Sequence, residues 1–282
     1  MAWLKREYTP IRLCDALDCA RAGRSLPPRS VVITFDDGYD DNFHIAFPIL
    51  RELGVPATFF VSTGYIDSGA PYAYDWLVHL FHRTSADRVS IPELRIDASI
   101  PLDRVERAAL AESVLDRIKT LPEARQAAVI RRLEDAWSIP RQPHRDCRPM
   151  TWDQLREMQS GGMEIGSHGV HHWMLAQLPH ELMLEELAGS RAAIARELGV
   201  PARVISYPVG GSDAYSDQVL AAVPAQHYEM GCSYVSGTNP WPPADPYSLL
   251  RLPVERYMDS VWFKCMLAWP ELFSHRSRQR NG

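Results

Sequence analysis

Apolar residues along this chain fall in short uninterrupted blocks separated by helical patterns. Val31-Val32-Ile33-Thr34-Phe35 is β-branched and apolar on both faces, the pattern of a parallel strand covered on both sides. Pro27 and Pro28 punctuate its entry. From Asn42 to Leu53, the apolar residues Phe43, Ala46, Phe47, Leu50 and Leu53 fall at helical spacing. Gly54 supplies a stop, and Pro48 predicts a kink or a short first turn. Ala57 to Ser62 repeats the strand pattern. Strand, helix, strand at this spacing is a βαβ unit with a right-handed crossover.

From Gly64 to about Pro149 the rhythm changes. Tyr72 to His82 reads as an aromatic-rich helix, and Leu102 to Trp137 is Ala, Arg, Glu and Leu rich at helical period. Only Val89 to Ile96 has strand character. The segment of about 65–149 is predicted to be a mainly helical insertion that shapes one wall of a substrate groove.

The α/β rhythm resumes at Thr151, which caps a helix through Gln159 that Gly161-Gly162 ends. Strands are predicted at Met163 to Ser167, Arg203 to Tyr207, Met230 to Val235 and Leu249 to Val254. Helices are predicted at Leu178 to Leu198, Asp217 to Val223 and Ser260 to Trp269. The polar tail, His275 to Gly282, is expected to fray. Six or seven strands alternating with helices favour a barrel-like or doubly wound α/β architecture.

The length, 282 residues, suits one large α/β domain or two small ones. A net charge of −5 leaves no basic surplus for phosphate contacts, so nucleic acid is not the expected partner. Cys14, Cys19, Cys147, Cys232 and Cys265 form a scattered set without a CxxC pair, so free thiols are expected. The opening MAWLKREYTPIR lacks the apolar core of a signal peptide, and no apolar run reaches the ~20 residues of a membrane-spanning helix. As the chain stands, a cytoplasmic location and no membrane span are expected, with export open if the start is truncated.

Three clusters carry candidate chemistry, each at the C-terminal end of a predicted strand, where α/β folds place their sites. The first is Thr34-Phe35-Asp36-Asp37-Gly38. Adjacent residues on an extended chain point in opposite directions, so one carboxylate can bind a metal while its neighbour acts as a base. Asp40 and Asp41 read as helix-start residues. The second cluster is Gly166-Ser167-His168-Gly169-Val170-His171-His172. The four-residue spacing of His168 and His172 brings two imidazoles together, as a metal requires. His171 is left as substrate-facing or structural. The third is Ser206-Tyr207-Pro208-Val209-Gly210-Gly211, a turn whose backbone N–H groups can form an oxyanion hole. One carboxylate and two imidazoles with an open position describe a catalytic site of the zinc type. Zn²⁺ is the expected ion, and Co²⁺, Ni²⁺ or Fe²⁺ suit the same donors. Such an ion acidifies water and polarises a carbonyl, so amide or ester hydrolysis follows.

On these motifs the chain resembles the polysaccharide deacetylases, the NodB-homology group of carbohydrate esterase family 4, over Val31 to Val61 and Met150 to about Tyr257. The resemblance implies a distorted (β/α)7 barrel spanning 1–282 as a single domain with its insertion. It implies Asp36 as catalytic base, and Asp37, His168 and His172 as ligands of one divalent metal. It also implies that the Val209 N–H helps hold the tetrahedral oxyanion. Tyr207, Pro208, Gly210 and His171 are the expected substrate contacts. Many members carry R-x-P-Y at the third motif, whose Arg braces the base. Here Ser206 stands at the Arg position and Val209 at the Tyr position, closer to the Y-P-x-G branch. Arg251 is the candidate replacement brace. The late L-x-H motif of many members has no match; His227 is the sole late histidine inside the folded region, and the general acid is unassigned. The resemblance also makes Met1 onward look like the linker after the family's usual first strand, so that either a barrel edge is missing or the true start lies upstream.

The implied activity is removal of acetyl groups from a polysaccharide or oligosaccharide, with N-acetyl placed ahead of O-acetyl. Hydrolysis of a small linear or cyclic amide and a non-catalytic glycan-binding barrel are the alternatives. The oligomeric state is not legible.

Overall fold

The computed structural model describes residues 1–273 except 120, 122, 143, 145, 146, 212 and 256. The tail expected to fray lies outside the described residues. The chain divides into two compact units, Met1–Asp67 with Met150–Gly282, and Ser68–Pro149. The strands are β1 (Thr9–Ile11), β2 (Ser30–Val32), β3 (Thr34–Phe35), β4 (Thr58–Val61), β5 (Arg88–Ile91), β6 (Ile96–Ser99), β7 (Glu164–Ser167), β8 (Val204–Ser206), β9 (Met230–Ser236) and β10 (Leu249–Arg251).

In the first unit, six strands form one curled, all-parallel sheet in the order β10-β9-β8-β7-β4-β3. This is a distorted α/β barrel. Strand pairing leaves two edges, β3 and β10, and a side chain joins them as described below. The predicted strand from Val31 to Phe35 is split at Ile33: β2 pairs with β1, and β3 pairs with β4. Both halves are only partly buried, because each lies at a sheet edge.

Each central strand packs both faces. Phe59, Val61 and Ile205 join Phe47, Leu50, Leu155, Met158 and Leu187 of the surrounding helices. Phe60, Val204, Met230, Cys232 and Leu249 point the other way, onto Leu13 and Leu17. Gly166 is required where Phe60 crosses it: a Cβ there would lie 2.6 Å from the ring. The helix Asn42 to Leu53 is divided as Pro48 foretold. A π-helical turn Asn42–Ala46 precedes the α-helix Phe47–Leu53, with Pro48 in its first turn, where its missing N–H costs nothing. Thr151 and Gln154 form a capping box at the helix Trp152–Ser160.

The first thirty residues are a structured element, which corrects their reading as a linker. A helix Ala2–Glu7 leads into β1, which pairs in parallel with β2. The helix Leu13–Arg21 then covers the face made by Phe60, Val204 and Met230. Its start is held by Glu164, whose carboxylate accepts from Leu13 N (2.9 Å), Cys14 N (3.2 Å) and Thr58 Oγ1 (2.6 Å). A carboxylate at a helix N-terminus satisfies free amides and meets the positive end of the helix dipole. Thr58 and Glu164 open β4 and β7, so this helix sits at the end of the sheet opposite the motif clusters.

The second unit, Ser68–Pro149, has its own core of Trp76, Leu77, Phe81, Val89, Ile91, Ile118 and Leu133. It comprises the helices Ala73–Arg83, Arg104–Ile118 and Glu123–Trp137, with the antiparallel hairpin β5–β6 where strand character was read. The indole N–H of Trp76 donates to buried Glu134, which also accepts from Arg141 (2.8 Å). All five cysteines are free thiols.

Replacing Glu164 by Ala strands the two amides that open the helix Leu13–Arg21. The expected loss is about 2–3 kcal/mol in chemical unfolding followed by far-UV circular dichroism. Glu164→Gln keeps one acceptor oxygen and should lose about half as much.

Candidate metal and hydrolytic site

The site forms where β3, β7, β8 and β10 end. After Phe35 the chain leaves the sheet, and Asp37 (φ 72°) and Gly38 (φ 90°) both turn left-handed. The two carboxylates consequently diverge. Asp37 Oδ1 lies 3.3 Å from His168 Nε2 and 3.1 Å from His172 Nε2. One donor atom from each of the three residues lies within 4.8 Å of the others. Donors ~2.0–2.2 Å from a tetrahedral ion stand roughly 3.3–3.6 Å apart, so the two spacings from Asp37 are close to those of a shared cation. Two imidazoles and a carboxylate are also the donor chemistry of such a site.

His168 is the buried anchor, 2% exposed. Its Nδ1 is 2.7 Å from the Ser206 carbonyl oxygen. A carbonyl only accepts, so Nδ1 carries a proton, which leaves Nε2 as the atom that turns to Asp37 and that could ligate a cation in the neutral ring. Burial opposes a charge on His168, but the carboxylates of Asp37 and Asp36 outweigh it and push its pKa up. Burial likewise opposes the charge of Asp37, and its hydrogen bonds and charge attraction with His168 and His172 hold its pKa far below the usual carboxylate range. The field at this point favours positive charge.

Asp36 turns to Arg251. The contact is a two-pronged fork: Nη1 to Oδ1 at 2.8 Å and Nη2 to Oδ2 at 2.7 Å. Arg251 is fixed in turn, donating Nε–H to Ser233 O (2.7 Å) and Nη1–H to Thr34 Oγ1 (3.3 Å). Ser206 Oγ completes the set, accepting from Arg251 Nη2 (3.0 Å) and donating to Asp36 Oδ2 (3.2 Å). Burial pushes the Asp36 pKa up, but the charges of Arg251 and His168 override it, so Asp36 titrates below an ordinary aspartate.

The third cluster follows β8. Tyr207 is a core residue, 1% exposed, with its hydroxyl donating to Tyr247 O (2.7 Å) and its ring stacked on Tyr215. Its side chain is thus withdrawn from the surface on which substrate contact was expected. Pro208 and Gly210 are also buried, whereas Val209, left-handed at φ 65°, is 55% exposed. Gly210 must be glycine: its φ is 65°, and a Cβ would meet Tyr234 N at 2.8 Å. His171 turns to Glu186, its Nδ1 2.5 Å from Oε1, and stacks on Trp173. His227 precedes the start of β9, at the sheet end away from Asp37, His168 and His172.

Glu186 is the residue that the sequence reading passed over. It lies on the helix His180–Leu198 among buried Met183, Leu187, Ser190 and Ile194. An acidic residue on that helix's apolar face was the available signal.

Residues 23–229 match the family model for polysaccharide deacetylase. The chain belongs to the polysaccharide deacetylase family. It is 36% identical over 70 residues to poly-beta-1,6-N-acetyl-D-glucosamine N-deacetylase of Escherichia coli strain K12, a match covering 24% of this chain and 10% of that protein. It is 22% identical over 209 residues to the putative polysaccharide deacetylase YxkH of Bacillus subtilis strain 168, covering 74% of this chain and 46% of that one. The matches thus span less than half the length of either relative. Among solved structures, the Streptococcus pyogenes deacetylase PplD in complex with acetate superposes with a TM-score of 0.59 at 18% identity, covering 92% of this chain and 79% of that one. IcaB from Ammonifex degensii gives 0.58 at 17% identity, covering 95% and 84%. Both likenesses establish the fold.

Arg251→Met leaves the Asp36 charge without its partner. Asp36 keeps 24% of its side-chain exposure, so the penalty falls below that of a fully buried ion. The expected destabilisation is about 2–3 kcal/mol by thermal or urea unfolding. Arg251→Lys, which cannot fork, should recover only part of it.

Proposed function

We propose that this chain is a metal-dependent deacetylase that removes N-acetyl groups from a polysaccharide or oligosaccharide. The observation that carries the proposal is the convergence of Asp37, His168 and His172 beside a carboxylate, Asp36, that is engaged elsewhere. Family membership supports the reaction class, and the name of the Escherichia coli relative supports N-acetyl over O-acetyl. No helix among the described residues is long and apolar enough to cross a membrane.

Asp37, His168 and His172 would hold one divalent cation, Zn²⁺ on donor chemistry. When bound, the cation supplies Lewis acidity, lowering the pKa of water toward ~7 and polarising a carbonyl oxygen. Asp36 takes the proton of the attacking water. Its fork to Arg251 keeps it ionised and so able to accept that proton. Arg251 and Ser206 fix the direction of its free lone pairs. The Val209 N–H donates to the developing oxyanion. Water adds its hydroxyl to the acetyl carbon while Asp36 takes its proton; the C–N bond then breaks as the nitrogen takes up one proton, which balances the one Asp36 accepted, and acetate leaves with the free amine.

The test is acetate release from N-acetylglucosamine oligomers by the Zn²⁺- or Co²⁺-loaded chain, beside acetylated ester probes and small amides. Asp36→Asn should abolish turnover, about 10³-fold or more, while leaving the metal content near one equivalent. Release only from small amides would replace the glycan reading, and tight glycan binding without release would make the barrel a binding module.

Chelation should abolish release, and Zn²⁺ or Co²⁺ should restore it. Asp37→Ala or His168→Ala should lower the bound metal measured by mass spectrometry. Full activity in the chelated protein would exclude metal dependence.

A further inference from the structure

Residues 168–172 carry two of the three candidate donors, yet they have no regular secondary structure and two left-handed residues, Gly169 (φ 74°) and His172 (φ 61°). Such a path needs outside support. The carbonyls of Gly169 and Val170 accept from Thr63 N (3.1 Å) and Gly64 N (2.9 Å), just past β4. The amides on the other side of the loop are held by one carboxylate. Glu186 Oε2 accepts from Val170 N (2.8 Å) and His171 N (2.9 Å), while Oε1 engages the His171 ring.

Glu186 is 2% exposed and lies on a helix face otherwise lined by apolar or small residues. A carboxylate is rarely found there unless its oxygens are fully used. Its fit to the loop is tight: a Cβ on Gly169 would lie 3.0 Å from Oε2 and 3.7 Å from Pro208 Cγ. Glu186 and the Pro208 turn enclose the loop between the two histidines.

We propose that Glu186 is a positioning residue for the cation site, setting the path of residues 168–172 and hence the pairing of His168 with His172. The inference rests on the cation reading above. His171 serves in it as the ring that locks the Glu186 rotamer, which is why its imidazole is turned to the helix. Glu186 touches neither cation nor substrate. Its effect runs through loop geometry, and it is read in metal affinity.

The experiment titrates the metal-free full chain with Co²⁺, recording the visible absorption of the bound ion, and measures Zn²⁺ affinity by competition with a chromophoric chelator. Glu186→Ala should bind about tenfold to hundredfold more weakly, with altered Co²⁺ absorption. Glu186→Gln keeps one oxygen for the two amides and should fall between Glu186→Ala and the wild type. If the alanine variant does not fold, the glutamine variant and His171→Ala carry the test. The neighbouring exposed Glu185→Gln is the control and should match the wild type. Wild-type affinity and spectrum in the Glu186 variants, with only a lower melting temperature, would make Glu186 a structural residue and overturn the inference alone. A wild-type chain that takes up no Co²⁺ would overturn the cation reading and the inference with it.

Discussion

The fork between Arg251 and Asp36 organises the end of the sheet where the three motifs meet. Hydrogen-bonded pairing leaves β3 and β10 as the two edges of the sheet. Arg251 ends β10, Asp36 follows β3, and the guanidinium reaches both Asp36 and Thr34. One side chain thus joins edges that backbone pairing leaves apart. The same contact aims the Asp36 carboxylate and keeps it ionised. Partly buried ion pairs seldom gain much stability over a well-packed apolar pair. What this one provides is geometry: a fixed carboxylate beside a cluster of metal-type donors.

Left-handed backbone recurs at the same end of the sheet, in all three motif turns. Asp37, His172 and Val209 are non-glycine residues at φ of 72°, 61° and 65°, one in each motif turn. Left-handed backbone costs such residues of order 1–3 kcal/mol each. It persists because the turns brace one another. The Ser206 carbonyl holds the His168 ring, the Gly210 carbonyl accepts from Tyr234 N, and the Ser62 amide bonds to the Asp37 carbonyl. The opposite end of the sheet contributes stability, with the helix Leu13–Arg21 packed on it and held by Glu164.

What the sequence made legible follows from how local each signal is. The strand-ending motifs were readable because a β-branched run that stops at Asp-Asp-Gly, and a short strand that stops at Ser-His-Gly, announce both the strand and its turn. Pro48 and the Thr151 cap act within a few residues and were readable for the same reason. The split at Ile33 was not, since it depends on β1, a three-residue strand preceding β2 by a whole helix. Glu164 and Glu186 read as ordinary acidic residues, because a carboxylate's burial is decided by distant amides that reach it only after folding. Tyr207 shows the converse. A motif aligned it with substrate contact, but only the packed core reveals that its ring and hydroxyl are committed to Tyr215 and Tyr247.

Exposure is graded across the site, and the gradient bears on the kind of substrate it suits. His168 is sealed in the sheet, whereas Asp37 and His172 keep 30% and 29% of their side-chain exposure. Val209, whose amide is the proposed oxyanion donor, stands on the surface. A small amide gains most from a closed cavity that buries it. A polymer cannot be enclosed, and its acetyl group must be met at an open rim by donors anchored from behind. The anchored His168, the half-exposed Asp37 and His172 and the outward Val209 turn are consistent with the polymer substrate proposed above. Rigidity at these turns comes from Arg251 and from the backbone hydrogen bonds that hold them.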